Sequence, residues 1–113
     1  MRLIGKSKLE KWKRGKGGNQ KLVKAIDKLV ADIERFSGAD AKDLKKIRPD
    51  ADKVHNDGFY FFNIDVHRTM LLIEFSEQEA SIEWVGDHDQ YERTFQNNKK
   101  VIENWLRSKE LID

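Results

Sequence analysis

The sequence predicts an α+β fold: a mainly antiparallel four-stranded sheet packed by two N-terminal helices, followed by a C-terminal helix. Two patterns carry this reading. Before Pro49, Leu22, Val23, Ile26, Leu29, Val30 and Ile33 recur at helical spacing and form one apolar stripe among Lys21, Lys24, Lys28 and Glu34. After Pro49 the pattern becomes runs of aromatic and aliphatic residues, 59–64, 69–75 and 80–85, separated by turn-like Asp65-Val66-His67 and Ser76-Glu77-Gln78-Glu79. At 113 residues the chain has room for one domain, 1–113, and one modest core.

Each element has a local cause. Met1 to Ile4 has the apolar character of a short first strand. Ser7-Lys8-Leu9-Glu10 has the form of a capping box that opens a helix over Ser7 to Lys13, with Leu9 and Trp12 on one side. Arg14-Gly15-Lys16-Gly17-Gly18 then reads as a flexible basic turn, because glycine has little incentive to stay helical. Asn19 to Phe36 is the clearest helix, ended by Ser37-Gly38, and Asp40 can cap a short helix bearing Leu44 and Ile47 that Pro49 terminates. The three strands that follow read as a meander. Phe59 to Phe62 and Met70 to Ile73 are unbroken apolar runs, so both sheet faces are expected to be partly covered, with helices on one side. Asn97 opens a last amphipathic helix, to Leu111, with Val101, Ile102, Trp105 and Leu106 on its stripe. The predicted core includes Leu22, Ile26, Leu29, Ile33, Phe62, Leu71, Ile73 and Trp84, and Trp12 and Trp105 are also expected to serve packing first.

Composition removes several function classes. With no cysteine there is no disulfide, thiolate zinc site or cysteine nucleophile, so chemistry falls to His, Tyr, carboxylates and cations. No apolar run approaches the roughly 18 residues that cross a bilayer, and Met1 to Lys16 lacks the apolar stretch of a signal peptide, so a cytoplasmic protein is expected. The formal net charge of +2 hides an asymmetry: residues 1–28 carry ten Lys/Arg against Glu10 and Asp27, whereas in residues 59–98 Arg68 and Arg93 stand against eight carboxylates. A polyanion should therefore approach over the helical side or its margins, the plainer alternative being that Lys6 to Lys28 is only a solvated helix face.

The stretch richest in chemistry is Ile82-Glu83-Trp84-Val85-Gly86-Asp87-His88-Asp89-Gln90-Tyr91-Glu92-Arg93, a strand running through glycine into a short turn of helix. His88 and Tyr91 are three residues apart, a spacing expected to place imidazole and phenol on the same side. An imidazole exchanges protons near neutral pH, and Asp87 or Asp89 could orient it. A phenol suits an acid, a hydrogen-bond donor or a stacking platform better than a base. Arg68 offers a permanent forked charge that matches phosphate oxygens, with Arg48, Lys53 and Arg93 as secondary cations. Structural alternatives stand beside each: His88 bonded to Asp87 or backbone at a helix start, Tyr91 buried against Trp84, Arg68 paired with Glu83 across the sheet. His55 and His67 sit in turn-like sequence and read as surface residues. Asp87-His88-Asp89 is a weak metal candidate, since adjacent side chains diverge and no second donor group stands out, so no metal and no cofactor is expected.

The closing Trp84-Val85-Gly86-Asp87-His88-Asp89-Gln90-Tyr91, the Phe62-Asn63-Ile64 strand, Arg68 and the connector Leu44-Lys45-Lys46-Ile47-Arg48-Pro49-Asp50-Ala51-Asp52 together resemble the HigB toxins of the RelE superfamily, over most of residues 1–93. Three features depart from that pattern: a short hairpin between Ile64 and Arg68, Asp87 where threonine is usual, and the long last helix. The resemblance implies a RelE-like sheet and an mRNA interferase, an endoribonuclease that cleaves translated mRNA at the ribosomal A site without metal. Arg68, His88 and Tyr91 would then be catalytic, and Arg48, Lys53 and Arg93 RNA-binding. It also implies a HigA-like helix-turn-helix antitoxin as partner, mRNA and the ribosome as targets, and operator DNA reached only through the antitoxin complex, with no membrane partner. Two other functions fit the same fold: a non-catalytic ParE-like toxin that inhibits a protein such as gyrase, and a plain RNA-binding module using Lys6 to Lys28.

Overall fold

The computed structural model describes residues 1–15, 17 and 19–113. The described elements run β1 (Arg2–Ile4), α1 (Lys6–Gly15), α2 (Gln20–Arg35), α3 (Ala41–Ile47), β2 (Asp52–His55), β3 (Phe59–Ile64), β4 (His67–Glu74), β5 (Glu79–Gly86), α4 (His88–Phe95) and α5 (Lys99–Ser108). The strands form one five-stranded sheet in the order β1-β5-β4-β3-β2. Strands β2 to β5 are an antiparallel meander, but β1 lies parallel to β5, with Leu3 opposite Ala80. The sheet is therefore mixed and has one strand more than the four expected. The added strand is β2, taken from the connector after Pro49.

Both faces of the sheet are covered by helices. On one face Leu22, Ile26, Leu29 and Ile33 of α2, with Leu9 of α1 and Leu44 of α3, pack against Leu3, Tyr60, Phe62, Ile64, Leu71, Ile73, Ala80 and Ile82. On the other, Tyr91 and Phe95 of α4 and Ile102 and Leu106 of α5 cover Phe59, Phe61 and Met70. The unbroken run Phe59 to Phe62 follows from this: alternate side chains enter different cores, and all four are buried. Each fully buried phenylalanine contributes roughly 1.5–3 kcal/mol. The expected placement of helices on one side is thus corrected, since α4 and α5 supply a second apolar layer. Seven of the eight core residues expected from the sequence are buried; Trp84 is half-buried and packs against the second core.

The helix boundaries have visible causes. Asn19 caps α2, its side chain accepting from the N–H groups of Lys21 (3.0 Å) and Leu22 (3.2 Å), and Asp40 caps α3 by accepting from Asp43 N–H at 2.9 Å. Asn98 caps α5 in the same way. The proposed Ser7 capping box is absent. Helix α1 begins one residue earlier, so Ser7 lies inside its first turn, and Glu10 pairs with Lys13 at 3.1 Å instead of reaching back. Lys13 also bonds Asp27 at 2.6 Å, tying α1 to α2. The basic turn expected at 14–18 includes Lys16 and Gly18, which lie outside the described residues; Arg14 and Gly15 still belong to α1.

Arg48 binds the connector into the fold. Its guanidinium donates to Asp32 of α2 (3.2 Å), Asp50 (2.7 Å) and the Asn63 carbonyl (3.0 Å), and Asp50 in turn accepts from Asn63 N–H at 2.8 Å. The residue is 8% exposed. Its charge is already matched by two carboxylates, so the contacts it makes are structural ones.

Candidate functional site

The site is assembled at the end of the sheet where β3 gives way to β4 and β5 to α4. A tight turn, with Asp65 in the left-handed region (φ 61°), joins β3 to β4 and sets Asn63 opposite Arg68. Across the sheet Arg68 lies opposite Gly86, the last residue of β5. A Cβ at Gly86 would overlap the Trp84 ring, which folds over the strand end, so a larger residue here would displace that ring. Helix α4 starts immediately after. Asp87 accepts from Gln90 N–H (2.8 Å) while the Gln90 side chain accepts from Asp87 N–H (2.9 Å), a complete capping box.

Arg68 does not pair with Glu83, whose carboxylate accepts from Ser81. Its guanidinium carbon sits 4.7 Å from the centre of the Tyr91 ring and 5.9 Å from that of Phe61. Among the described residues it has no carboxylate at ion-pair distance. The rings hold it by their negative faces, an attraction of about 0.5–2 kcal/mol depending on desolvation.

Tyr91 is 4% exposed and packs edge-on against Phe61, with ring centres 5.1 Å apart, and beside Trp84 and Phe95. Its hydroxyl donates to Asn97 Oδ1 at 3.3 Å. Burial pushes the phenol pKa up, aided by the charges of Asp52 and Glu92 and opposed by Arg68. The phenol is therefore a neutral donor around pH 7, and its ring is closed to stacking on bases. Of the alternatives open in the sequence, the geometry contains the packing against Trp84 together with a hydrogen-bond donor role toward Asn97.

His88, the first residue of α4, has a side chain 72% exposed, with Nε2 4.0 Å from Glu92 Oε1. The expected common side for His88 and Tyr91 is not found. Position 91 faces the sheet, whereas position 88 stands at the solvent-exposed start of the helix. Arg93 is exposed in the last turn of α4, and Lys53 is exposed on β2. His67, expected at the surface, is half-buried, its ring 5.7 Å from that of Trp12 in an edge-to-face contact. Part of the basic N-terminal quarter is spent internally: Lys6 pairs with Glu34, Lys13 with Asp27, Lys28 with Asp32, and Lys8 donates to the Ile82 carbonyl. Among the described residues no group of three or more His, Asp or Glu side chains gathers as metal donors.

Three contributors were not identified from sequence. Phe61 reads only as a strand residue, and Asp52 only as part of the connector. Asn97, which accepts the Tyr91 hydroxyl, follows Gln96, and both take positive φ (47° and 53°). Asparagine's tolerance of that conformation was the one available signal.

A mixed sheet between two helical layers, with an arginine held on aromatic rings at one sheet end and an exposed histidine at the adjoining helix start, defines a small α+β protein whose polar groups gather at a strand-to-helix junction. The chain belongs to the HigB_toxin family, the RelE-like toxic component of a toxin-antitoxin system, whose family model matches residues 22–94. That span runs from α2 to the last turn of α4 and contains Arg48, Lys53, Arg68, His88, Tyr91 and Arg93, but not α5. No curated protein sequence matches the chain. Among the described residues no helix is long and apolar enough to cross a membrane.

Proposed function

We propose that this toxin is an endoribonuclease that cleaves translated mRNA at the ribosomal A site by metal-free acid/base chemistry, restrained in the cytoplasm by a HigA-like antitoxin. The observation that carries the reading is Arg68, a permanent cation held on the Tyr91 and Phe61 rings that among the described residues has no carboxylate at ion-pair distance. In such cleavage the substrate's 2′-oxygen loses its proton and bonds to phosphorus, and the bond to the 5′-oxygen breaks as that oxygen gains a proton. Arg68 stabilises the charge on the non-bridging oxygens. His88 exchanges a proton with one of the two reacting oxygens, and water serves the other. Tyr91 supports the site from below as the platform for Arg68, while Lys53 and Arg93 bind flanking phosphates.

The test is expression without and with the antitoxin. Growth arrest with loss of translated mRNA, reversed by co-expression, is the expected result. A second reading, a ParE-like toxin that inhibits a protein target such as gyrase, is favoured by the separation of His88 from Tyr91, since a binder needs no converged acid and base. Arrest with intact mRNA and stalled replication would replace the first reading with the second. RNA affinity without cleavage on ribosomes would leave a plain RNA-binding module.

A further inference from the structure

We propose that the side-chain amide of Asn63 is a second RNA contact beside Arg68, donating a hydrogen bond to the phosphate that the guanidinium holds. This rests on the reading of the protein as RNA-directed. The register of the sheet puts the two residues directly opposite each other on neighbouring strands, Asn63 on β3 and Arg68 on β4. Opposite residues of an antiparallel pair point to the same face, with Cβ atoms roughly 4.5–5.5 Å apart. That face is the one α4 and α5 cover: Phe61, two positions before Asn63, and Met70, two after Arg68, both belong to its core. The guanidinium lies over Phe61 and Tyr91 on this same side.

At Asn63 this core stops and solvent begins. The other five residues of the strand Phe59–Ile64 are aromatic or aliphatic and buried, whereas Asn63 is exposed. Asparagine is a poor strand former, and here it adds nothing to either core. Its backbone is already committed: the N–H donates to Asp50 Oδ2 at 2.8 Å and the carbonyl accepts from Arg48 at 3.0 Å. Its side-chain amide makes no hydrogen bond among the described residues. The residue is thus held at its backbone and open at its amide.

The two groups offer a phosphate different things. Arg68 brings a permanent charge, and the amide brings a neutral, directional donor for a second non-bridging oxygen, the use that asparagine has in oxyanion sites. The residue type matters for the same reason. An amide leaves the guanidinium free for the substrate, whereas a carboxylate directly across the strands from Arg68 would pair with it and take the phosphate's place.

The experiment is titration of the full, isotope-labelled chain with a single-stranded 2′-O-methyl oligoribonucleotide, which cannot be cleaved, at several salt concentrations and below each variant's melting temperature. The Asn63 amide resonances, assigned by their loss in Asn63→Ala, should shift on saturation. Asn63→Ala should weaken binding by about two- to tenfold, the worth of one neutral hydrogen bond, and leave the slope of log affinity against log salt unchanged, because no charge is removed. Arg68→Ala should lower that slope by about 0.7, one phosphate contact on a single strand. With both substitutions together the loss should be smaller than the product of the single losses, since the two groups share one phosphate. Asn63→Asp, of equal size, should weaken binding more than Asn63→Ala does. Wild-type affinity in Asn63→Ala or Asn63→Asp, amide signals that stay still, a lowered slope in Asn63→Ala, or independent losses in the double variant would each overturn the proposal. Because no cleavage is read, RNA binding without ribosome-dependent activity would sink the proposed function and leave this inference standing, and full cleavage with a silent Asn63 amide would do the reverse.

Discussion

The guanidinium of Arg68 rests 4.7 Å from the centre of the Tyr91 ring, and the Tyr91 hydroxyl is directed to Asn97. The ring of Tyr91 thus underlies the arginine, while its hydroxyl is engaged by Asn97. Tyr91→Phe keeps the ring and is expected to retain cleavage within about tenfold, losing roughly 0.5–1.5 kcal/mol of stability with the hydrogen bond. Tyr91→Leu removes the platform and should fall well below it. Single-turnover cleavage on programmed ribosomes, with denaturant unfolding of each variant, separates the two effects. A Tyr91→Phe protein as inactive as Tyr91→Leu would show that the hydroxyl takes part in the reaction.

Arg68→Ala should lower cleavage by about 10² or more, as loss of a preorganised charge at the transition state does. His88→Ala should lower it by about 10² to 10⁴, and with a side chain 72% exposed it should leave the melting temperature unchanged. Folded variants that both cleave at the wild-type rate would remove Arg68 and His88 from the reaction and turn attention to Lys53, His55 and Arg93.

The chain has two tyrosines, Tyr60 and Tyr91, and burial raises the pKa of both above the ordinary 10.0. In the unfolded chain each phenol loses its proton first, so above pH ~10 the unfolded state binds fewer protons and stability falls as pH rises toward the folded-state values. Below the unfolded pKa this contribution is fully present. Ultraviolet titration of the folded protein should show no phenolate with an ordinary midpoint, and the same titration in denaturant should return both groups to it. A normal midpoint in the folded state would mean that Tyr91 is open to solvent.

Arg48→Ala should destabilise the fold by roughly 3 kcal/mol, toward the low end for breaking a buried ion pair, because Asp32 and Asp50 keep about a fifth of their side-chain exposure. Asp50 would also lose the cation that holds it against Asn63. Chemical denaturation gives the value. At temperatures where the variant is folded, RNA affinity should match the wild type; a selective loss of affinity with unchanged stability would return Arg48 to the RNA-facing set.

What could be read from sequence was set by local pattern, and what could not was set by contacts distant in sequence. The helix from Gln20 to Arg35 and the strand from Phe59 to Ile64 follow from periodicity and composition alone, within a residue of expectation. Strand β2 escaped because Asp52-Lys53-Val54-His55 is short and polar and carries a bulge between Lys53 and His55. The Asn56-Asp57-Gly58 turn after it was the available hairpin signal. The parallel pairing of β1 with β5 joins residues nearly eighty positions apart, and no local pattern specifies it. The residue types of the site were legible, but their directions were not. Spacing places His88 and Tyr91 near each other along a helix, and only the position of the sheet decides that one is buried and the other wet. Arg48 reads as a cation anywhere; Asp32, sixteen positions earlier, determines what it binds.

The bulge between Lys53 and His55 has a consequence for how this molecule meets others. Strand β2 is one margin of the sheet, and the bulge puts its backbone donors and acceptors out of step with any straight strand laid beside them; the opposite margin, β1, offers only three residues. Neither is a good template for ladder growth, so copies of the protein are guarded against zipping into fibres at high concentration. A regulatory partner gains little by extending the sheet. A partner that grips helices, turns and side chains instead draws its specificity from surface shape and charge more than from backbone hydrogen bonds common to every protein.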